Sequence, residues 1–144
     1  MARRKPEQND GHLSLFIKRK PFDLIKSGQK KVEYRELKDY YDQRFFEMRD
    51  FAIACDEVDD CMKPRPKKIR TLTLINGQRK DAPRITVEVD HIAVVNRFNE
   101  EELPDGRVKV SIAEETDLRD LRDVNDLMHG IEYAIHIKRV VSEG

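Results

Sequence analysis

Three charged side chains, Lys30, Glu33 and Arg35, lie within the segment GQKKVEYR, residues 28–35. Apolar and charged residues alternate from residue 31 to residue 35, which is typical of a β-strand, because side chains two apart leave the backbone on the same side. Glu33 and Arg35 are therefore expected on one face of the strand, and Lys30 is expected next to them, where the strand begins. Lys30 and Arg35 are suited to bind a phosphate or a base carbonyl. Glu33 is suited to orient them or to accept hydrogen bonds from an exocyclic amine.

An ordinary structural role explains the same residues. Glu33 and Arg35 can each pair with an opposite charge on a neighbouring strand, and such a pair contributes only about 0.2 to 1 kcal/mol. The spacing of the three residues alone favours this structural interpretation over a ligand site.

The elements before the charged strand determine where its charges lie. Residues 13–17 alternate in hydropathy and predict a first strand. Pro21 fits the first turn of a helix that runs to Ser27, because an N–H is not needed there. Gly28 is suited to end that helix, because a residue without Cβ adopts the left-handed conformation at little cost. The predicted order is strand, short helix, glycine turn and charged strand.

Further cations flank the charged strand. Lys18 and Lys20 are expected in the loop beside the start of the charged strand, either in a solvated turn or as phosphate contacts next to Lys30. A second basic stretch, residues 63–68, is interrupted by prolines, which excludes a helix and predicts an exposed loop. Its cations are a second candidate for contact with a nucleic-acid backbone.

The pattern Gly28-x-Lys30-x-x-Glu33-x-Arg35, preceded by an apolar strand and a short helix, resembles the signature of the ASCH family. The resemblance extends over residues 13–141, through an Asn-Gly turn, an Ala-Pro break before a long strand, and a final strand. It implies a fold similar to the PUA domain. It also implies that Lys30 and Glu33 lie in a cleft of a barrel that holds the ligand.

The resemblance leaves the activity open. Some ASCH proteins are small amidohydrolases on acetylated cytidine, in which a lysine and a threonine three residues later act with a distant glutamate. Here Lys30 matches the lysine, but Glu33 stands in the threonine position and favours the charged form of Lys30, which is a poor nucleophile. Other relatives cleave RNA, and Lys30 and Glu33 are also suited to acid and base roles. A protein-interaction module without a ligand is a third possibility.

The remaining pattern predicts an α+β fold: a small, bent, mostly antiparallel β-barrel with helices packed at its ends. A disordered tail over residues 1–12 and one domain over residues 13–141 are expected. The first predicted elements after the charged strand are a helix over residues 37–48, short strands at 51–55 and 71–75, and a hairpin turn at Asn76-Gly77. They are followed by a long strand over 85–94, bent by a bulge near Asp90-His91, and an acidic loop at 99–107. The last predicted elements are a strand at 108–112, a helix over 114–129 that ends at Gly130, and a strand over 131–141.

Two tyrosines of the helix predicted over residues 37–48 allow a second interpretation. Tyr40 and Tyr41 occupy the apolar face of that helix and are expected in the core. Either ring is also able to stack on a base, because every base has a flat face.

Composition limits the class of protein. The 144 residues suffice for one domain, and 39% of them are charged, which implies a small core under a charged surface. The chain lacks an apolar run long enough to span a membrane, and its basic start lacks the apolar segment of a secretory signal. We therefore expect a cytoplasmic protein without a membrane partner, and a monomer.

Charge is unevenly distributed although the net charge is zero. Residues 1–70 carry 18 Lys and Arg against 13 Asp and Glu, and residues 71–144 carry 10 against 15. This asymmetry permits one basic face that attracts RNA, although a mixed, solvated surface gives the same count.

Metal and cofactor sites are not expected. The four histidines are scattered without ligand spacing, and Cys55 and Cys61 are too few to form a metal cage. The cysteines are expected to be reduced thiols. RNA or a nucleotide-derived small molecule is the expected partner.

Overall fold

A computed structural model of the protein describes residues 11–47, 64–122, 126–127 and 129–143. The helices and strands assigned within these ranges are β1 (His12–Phe16), α1 (Arg19–Lys26), β2 (Val32–Glu36), α2 (Asp39–Phe45), β3 (Thr71–Ile75), β4 (Arg84–Glu102), β5 (Val108–Asp117) and β6 (Glu132–Glu143). The strand predicted at 51–55, both cysteines and most of the tail predicted at residues 1–12 lie outside the described residues. Residue 12, at the end of that predicted tail, is the first residue of β1.

The strands form one sheet in the order β1-β3-β4-β6-β2, and β5 pairs with β4. β1 runs parallel to β3, whereas β3–β4 and β4–β5 are antiparallel. A parallel pair requires a long connection, which here contains α1, β2 and α2. A mostly β protein with few helices agrees with the predicted α+β class. Within the described residues the strand path is open at β1 and β2 and does not close on itself.

The chain divides into two compact units. The first unit comprises Met1–Glu33, Lys67–His91 and Ile135–Gly144. Its β1–β3–β4 ladder aligns Leu13 with Leu72, and Leu72 with Val87. Strand alternation directs one set of apolar side chains inward, as the sequence predicts. Residues that are at most 1% exposed in this unit are Leu15, Ile25, Leu72, Leu74, Ile85, Val87 and Ile135.

The second unit comprises Tyr34–Pro66 and Ile92–Ala134. Its β4–β5 hairpin closes through a turn in which the Leu103 N–H donates to the Arg107 carbonyl at 2.7 Å. Phe45, Phe46 and Tyr133 are completely buried here, and the Phe45 and Tyr133 rings meet edge to face with centroids 4.7 Å apart. Aromatic packing of this kind contributes more than buried area alone.

Two predictions for the β4–β5 region are wrong. Asn99–Glu102, predicted as part of an acidic loop, continues β4. Glu114–Asp117, predicted as the start of a helix, completes β5, where Glu115 pairs with Val95. Acidic residues before an apolar repeat suggested a helix start, but pairing with a distant strand decides the backbone conformation. A 3₁₀ turn, Leu118–Asp120, follows, and Leu118, Leu121 and Leu127 are buried although the predicted long helix is absent from the described residues.

The predicted turns are partly confirmed. β3 and β4 form a hairpin, but its connection spans residues 76–83, in which Gly77 has φ +120° and the Asn76 N–H donates to the Pro83 carbonyl at 2.9 Å. It is therefore not a two-residue Asn-Gly turn. The alternation of buried residues in β4 ends after Val89, and residues 92–95 are all buried. The register irregularities of β4 against β5 lie between Val95 and Phe98.

Gly130, where the helix predicted over 114–129 was expected to end, is closely packed. A Cβ on Gly130 would lie 2.0 Å from Cγ1 of the buried Val94, so this position has no room for a side chain. Ile131, the first residue of the strand predicted over 131–141, is 51% exposed and precedes the first residue of β6.

Candidate functional site

The backbone around α1 places Lys30. Phe22 and Ile25 are buried on one side of α1, and Gly28 ends the helix, as predicted, with φ +85°. The Gly28 N–H donates to the Ile25 carbonyl at 3.0 Å, and the Gln29 N–H donates to the Leu24 carbonyl at 2.9 Å. This pair of bonds defines a Schellman motif, for which a glycine in the left-handed conformation is favoured. The Lys30 N–H also donates to Leu24, at 3.0 Å, so the backbone of Lys30 is held by the helix end.

Lys30 and Glu33 are brought together as the sequence predicts. The Nζ of Lys30 lies 3.3 Å from Oε1 of Glu33, and the two side chains are 28% and 8% exposed. Glu33 is the buried charged residue among those described. A carboxylate in this position requires compensation for its lost hydration, and the ammonium group supplies part of it. Alternation alone did not predict that Glu33 would be more buried than Val32 and Tyr34 on either side of it.

β2 holds Glu33 in place. It is a neighbour of β6 in the sheet, and the Ile137 N–H donates to the Lys31 carbonyl at 2.8 Å. The pair therefore consists of one side chain at a helix end and one on a paired strand. Lys30 is partly exposed, so its ammonium group is accessible to a ligand, while Glu33 is positioned behind it to fix its direction.

Lys18 and Lys20 lie at the other end of α1. Lys18 is the N-cap residue without a side-chain cap, and both lysines are exposed. Arg19 and Lys20 are helical rather than in the predicted loop. A helix of eight residues is about 12 Å long. Lys18 lies at its start, whereas the backbone of Lys30 lies beside its last turn, bonded to the Leu24 carbonyl.

The start of α1 has an unusual charge pattern. Its first turn contains no acidic residue and carries Arg19 and Lys20. Cations are disfavoured at the positive end of a helix dipole, so these charges oppose the helix and favour an anion. Arg19 is paired with Asp23 at 3.1 Å, whereas Lys18 and Lys20 extend from the exposed surface.

Arg35 belongs to the second unit. Its guanidinium donates to the Tyr41 hydroxyl at 2.8 Å, and its Cζ lies 5.5 Å from the centroid of that ring. The sequence identified Arg35 and Tyr41 separately, but it did not predict their contact, because the strand-to-helix geometry between them was unknown. The contact leaves Arg35 half-buried and fixed in direction. This preorganisation suits a cation that binds phosphate or a carbonyl.

The two tyrosines considered for base stacking differ. Tyr40 is 43% exposed, and the Arg44 guanidinium lies 4.1 Å from its ring centroid. One face of Tyr40 is thus covered by a cation, and the ring remains at the surface. Tyr41 is half-buried, lies 6.0 Å from Phe45 in a stacked arrangement and contacts Arg35. Tyr41 therefore packs partly against the interior, whereas the expectation that Tyr40 lies in the core is wrong.

A third tyrosine, Tyr34, was not predicted to have a special environment. Burial raises the pKa of its phenol, and the negative charges of Glu115 and Glu132 raise this pKa further. Its ring meets Phe98 edge to face at 5.7 Å. These features are long-range consequences of strand pairing and have no local sequence signal.

Comparison of the chain with protein-family models, curated proteins and solved structures gave no match. No helix in the described part of the chain combines the length and apolar character required to span a membrane.

Proposed function

We propose that the first unit binds RNA, or a nucleotide-derived small molecule, through Lys30, with Lys18 and Lys20 as further phosphate contacts. The observation that carries the proposal is the pairing of the partly exposed Lys30 with the nearly buried Glu33 at 3.3 Å. A buried ion pair contributes little net stability, because the desolvation penalty offsets the attraction between its charges. A role in orienting Lys30 toward a ligand gives a reason for retaining it.

The positions of the lysines along α1 favour an RNA strand over a single nucleotide as the ligand. Lys18 lies at the start of α1, whose eight residues span about 12 Å, and Lys30 lies beside its last turn. Successive phosphates along a nucleic-acid strand are able to reach both ends of the helix. Arg35, in the second unit, is proposed as a phosphate or base-carbonyl contact in its own right, directed by the Tyr41 hydroxyl.

The family assignment is part of this proposal. The segment from Gly28 to Arg35 resembles the ASCH signature, and the Schellman motif at Gly28 fixes the backbone from which Lys30 extends. We propose a divergent ASCH domain with a PUA-like barrel, acting as a cytoplasmic monomer.

RNA binding is expected to depend on Lys30 and on salt. We would titrate a short, labelled single-stranded RNA with the full chain at about 50 and 200 mM salt, where neutralised phosphates release condensed cations and affinity falls. Lys30→Ala should weaken binding by about 1 to 3 kcal/mol, the contribution of a charge-assisted hydrogen bond, and reduce the salt slope. Lys109→Ala is the matched control, because it removes the same charge from an exposed site on β5.

The same titration distinguishes an RNA strand from a mononucleotide as the ligand. Lys18→Ala with Lys20→Ala should weaken binding of the RNA strand but leave binding of a mononucleotide unchanged. Equal loss in Lys30→Ala and Lys109→Ala would assign the affinity to general charge and reject the site. Undetectable binding at low salt would reject RNA as the ligand.

A small hydrolase that uses the same residues is the alternative, because Lys30 and Glu33 are close enough to exchange a proton. Incubation with acetylated cytidine and with mixed-sequence RNA is expected to give no turnover. The reason is that an ammonium group held by a carboxylate donates hydrogen bonds and does not act as a nucleophile. Turnover that falls about 100-fold or more in Lys30→Ala would contradict this expectation and identify an enzyme. A protein-interaction module would show neither RNA binding nor turnover.

A further inference from the structure

Two histidines that are 45 positions apart in the sequence stack on each other in the first unit. His91 lies on β4 and His136 on β6, which are neighbours in the sheet. Their ring centroids are 4.2 Å apart, and the ring planes differ by 10°. A ring nitrogen of His91 and one of His136 lie within 4.8 Å of each other. Both rings are held on paired strands, so the arrangement is set by the backbone of the sheet.

Asp90 orients one of these rings. Its Oδ2 lies 2.7 Å from Nδ1 of His91. A carboxylate only accepts hydrogen bonds, so this contact favours the tautomer of neutral His91 that carries the proton on Nδ1 and the lone pair on Nε2. This is the carboxylate–histidine arrangement that fixes the ring and tautomer of many metal-ligating histidines. The His91 side chain is 27% exposed and therefore accessible to an ion.

We propose that His91 and His136 bind a divalent transition-metal ion, with Asp90 as a positioning residue. Metal–nitrogen bonds of about 2.1 Å in tetrahedral geometry place two ligand nitrogens roughly 3.4 Å apart. The stacked rings direct their in-plane lone pairs side by side, so both rings have to turn toward a common point to bind one ion. Two imidazoles suit zinc, copper or nickel and leave the other coordination positions to water or an added ligand.

The charged residues near the two histidines include both carboxylates and cations. Lys138 acts electrostatically on Asp90 and lies 3.9 Å from Glu88, and Arg139 lies 2.7 Å from Glu88. Hard cations such as Mg²⁺ require oxygen ligands and are not expected to bind. The histidines have no ligand spacing along the sequence, which therefore predicts no metal site. Strand pairing nevertheless brings His91 and His136 together.

The test is a calorimetric titration of the full chain with Zn²⁺, with Mg²⁺ in parallel. Cys55→Ser and Cys61→Ser are included in the background, because thiolates bind zinc independently. One Zn²⁺ per chain and no heat from Mg²⁺ are expected. Co²⁺ provides a spectroscopic readout, since its visible absorption bands should indicate nitrogen and oxygen ligands without thiolate charge transfer.

His91→Gln and His136→Gln should each lower the Zn²⁺ affinity at least tenfold, while His129→Gln, at an exposed position elsewhere, should leave it within twofold. Asp90→Asn should lower the affinity by about 10 to 100-fold, as loss of the partner of a metal-ligating histidine does, and Asp90→Glu should restore part of it. Chemical unfolding confirms that each variant is folded. Absence of Zn²⁺ binding, or binding unchanged in both His91→Gln and His136→Gln, would overturn the proposal.

Discussion

Tyr133→Ala is expected to lower the free energy of unfolding by about 3 to 5 kcal/mol, the range for loss of a buried aromatic side chain. Tyr133 is completely buried in the second unit, its ring meets Phe45 at 4.7 Å, and its hydroxyl donates to Asp42 at 2.5 Å. The substitution removes the ring from the centre of the aromatic cluster and leaves a cavity. Urea unfolding followed by circular dichroism measures the change.

Tyr40→Ala is the matched control, because Tyr40 is on the adjacent helix α2 but is 43% exposed. It should lower the free energy of unfolding by no more than about 1 kcal/mol, as expected for a surface position. If the two alanine variants were equally stable, the packing around Tyr133 would not determine the stability of this unit.

The hydroxyl of Tyr133 adds a dependence on pH. Burial raises the pKa of this phenol far above its usual value of 10.0, and the hydrogen bond to Asp42 and the charge of Asp42 raise it further. The group thus binds its proton more tightly in the folded chain than in the unfolded chain. Its contribution to stability is complete below pH 10 and decreases as the pH rises, because the unfolded state then releases the proton.

Wild-type protein should therefore lose stability above pH 10 more steeply than Tyr133→Phe, by up to about 1.4 kcal/mol for each pH unit. Urea unfolding at a series of alkaline pH values measures the two slopes. Tyr40→Phe should retain the wild-type slope. Parallel slopes for wild type and Tyr133→Phe would show that the phenol ionises equally in the folded and unfolded chains.

Local signals predicted the surroundings of Lys30 well. Pro21, the apolar spacing of α1 and Gly28 each act within a few residues, and the helix and its left-handed end are found as expected. Lys30 and Glu33 are only three residues apart, so their contact follows once the helix end and strand are correct. Short-range chemistry decides these features.

Long-range pairing decided the features that the sequence did not reveal. Tyr133 and Asp42 are 91 positions apart, and their contact depends on how β6 and α2 pack in the second unit. The apolar spacing after residue 114 is compatible with a helix, but pairing of β5 with β4 imposes a strand through Asp117. The burial of Glu33 is likewise a property of the sheet. Alternation predicts which residues share a face, but not how deeply each face is covered.

Replacing the Lys30–Glu33 pair with apolar residues is expected to raise stability while abolishing RNA binding. The Glu33 side chain is 8% exposed, so its carboxylate has lost most of its hydration, and the ion pair at 3.3 Å restores only part of that loss. Buried ion pairs replaced by apolar residues of similar volume often give a fold that is more stable by about 1 to 4 kcal/mol. We therefore expect Lys30→Met with Glu33→Leu to raise the free energy of unfolding by about 1 to 3 kcal/mol.

The single variant provides the contrast. Lys30→Met alone removes the ammonium group from a nearly buried carboxylate and should lower the free energy of unfolding by about 1 to 3 kcal/mol, less than for a fully buried pair because Lys30 is 28% exposed. Arg19→Ala with Asp23→Ala is the control, because this pair lies on the same helix with side chains 66% and 53% exposed. Its removal should change stability by no more than about 0.5 kcal/mol.

The combination of measurements distinguishes a binding site from a structural ion pair. A double variant that is more stable and no longer binds RNA shows that the pair opposes stability and is retained for binding, which is the usual relation at functional sites. A double variant as unstable as Lys30→Met shows instead that the charges hold the helix end to the sheet. In that case the pairing of Lys30 with Glu33 no longer supports a ligand site. RNA binding is then supported only by the titration, and the Lys30–Glu33 ion pair is structural.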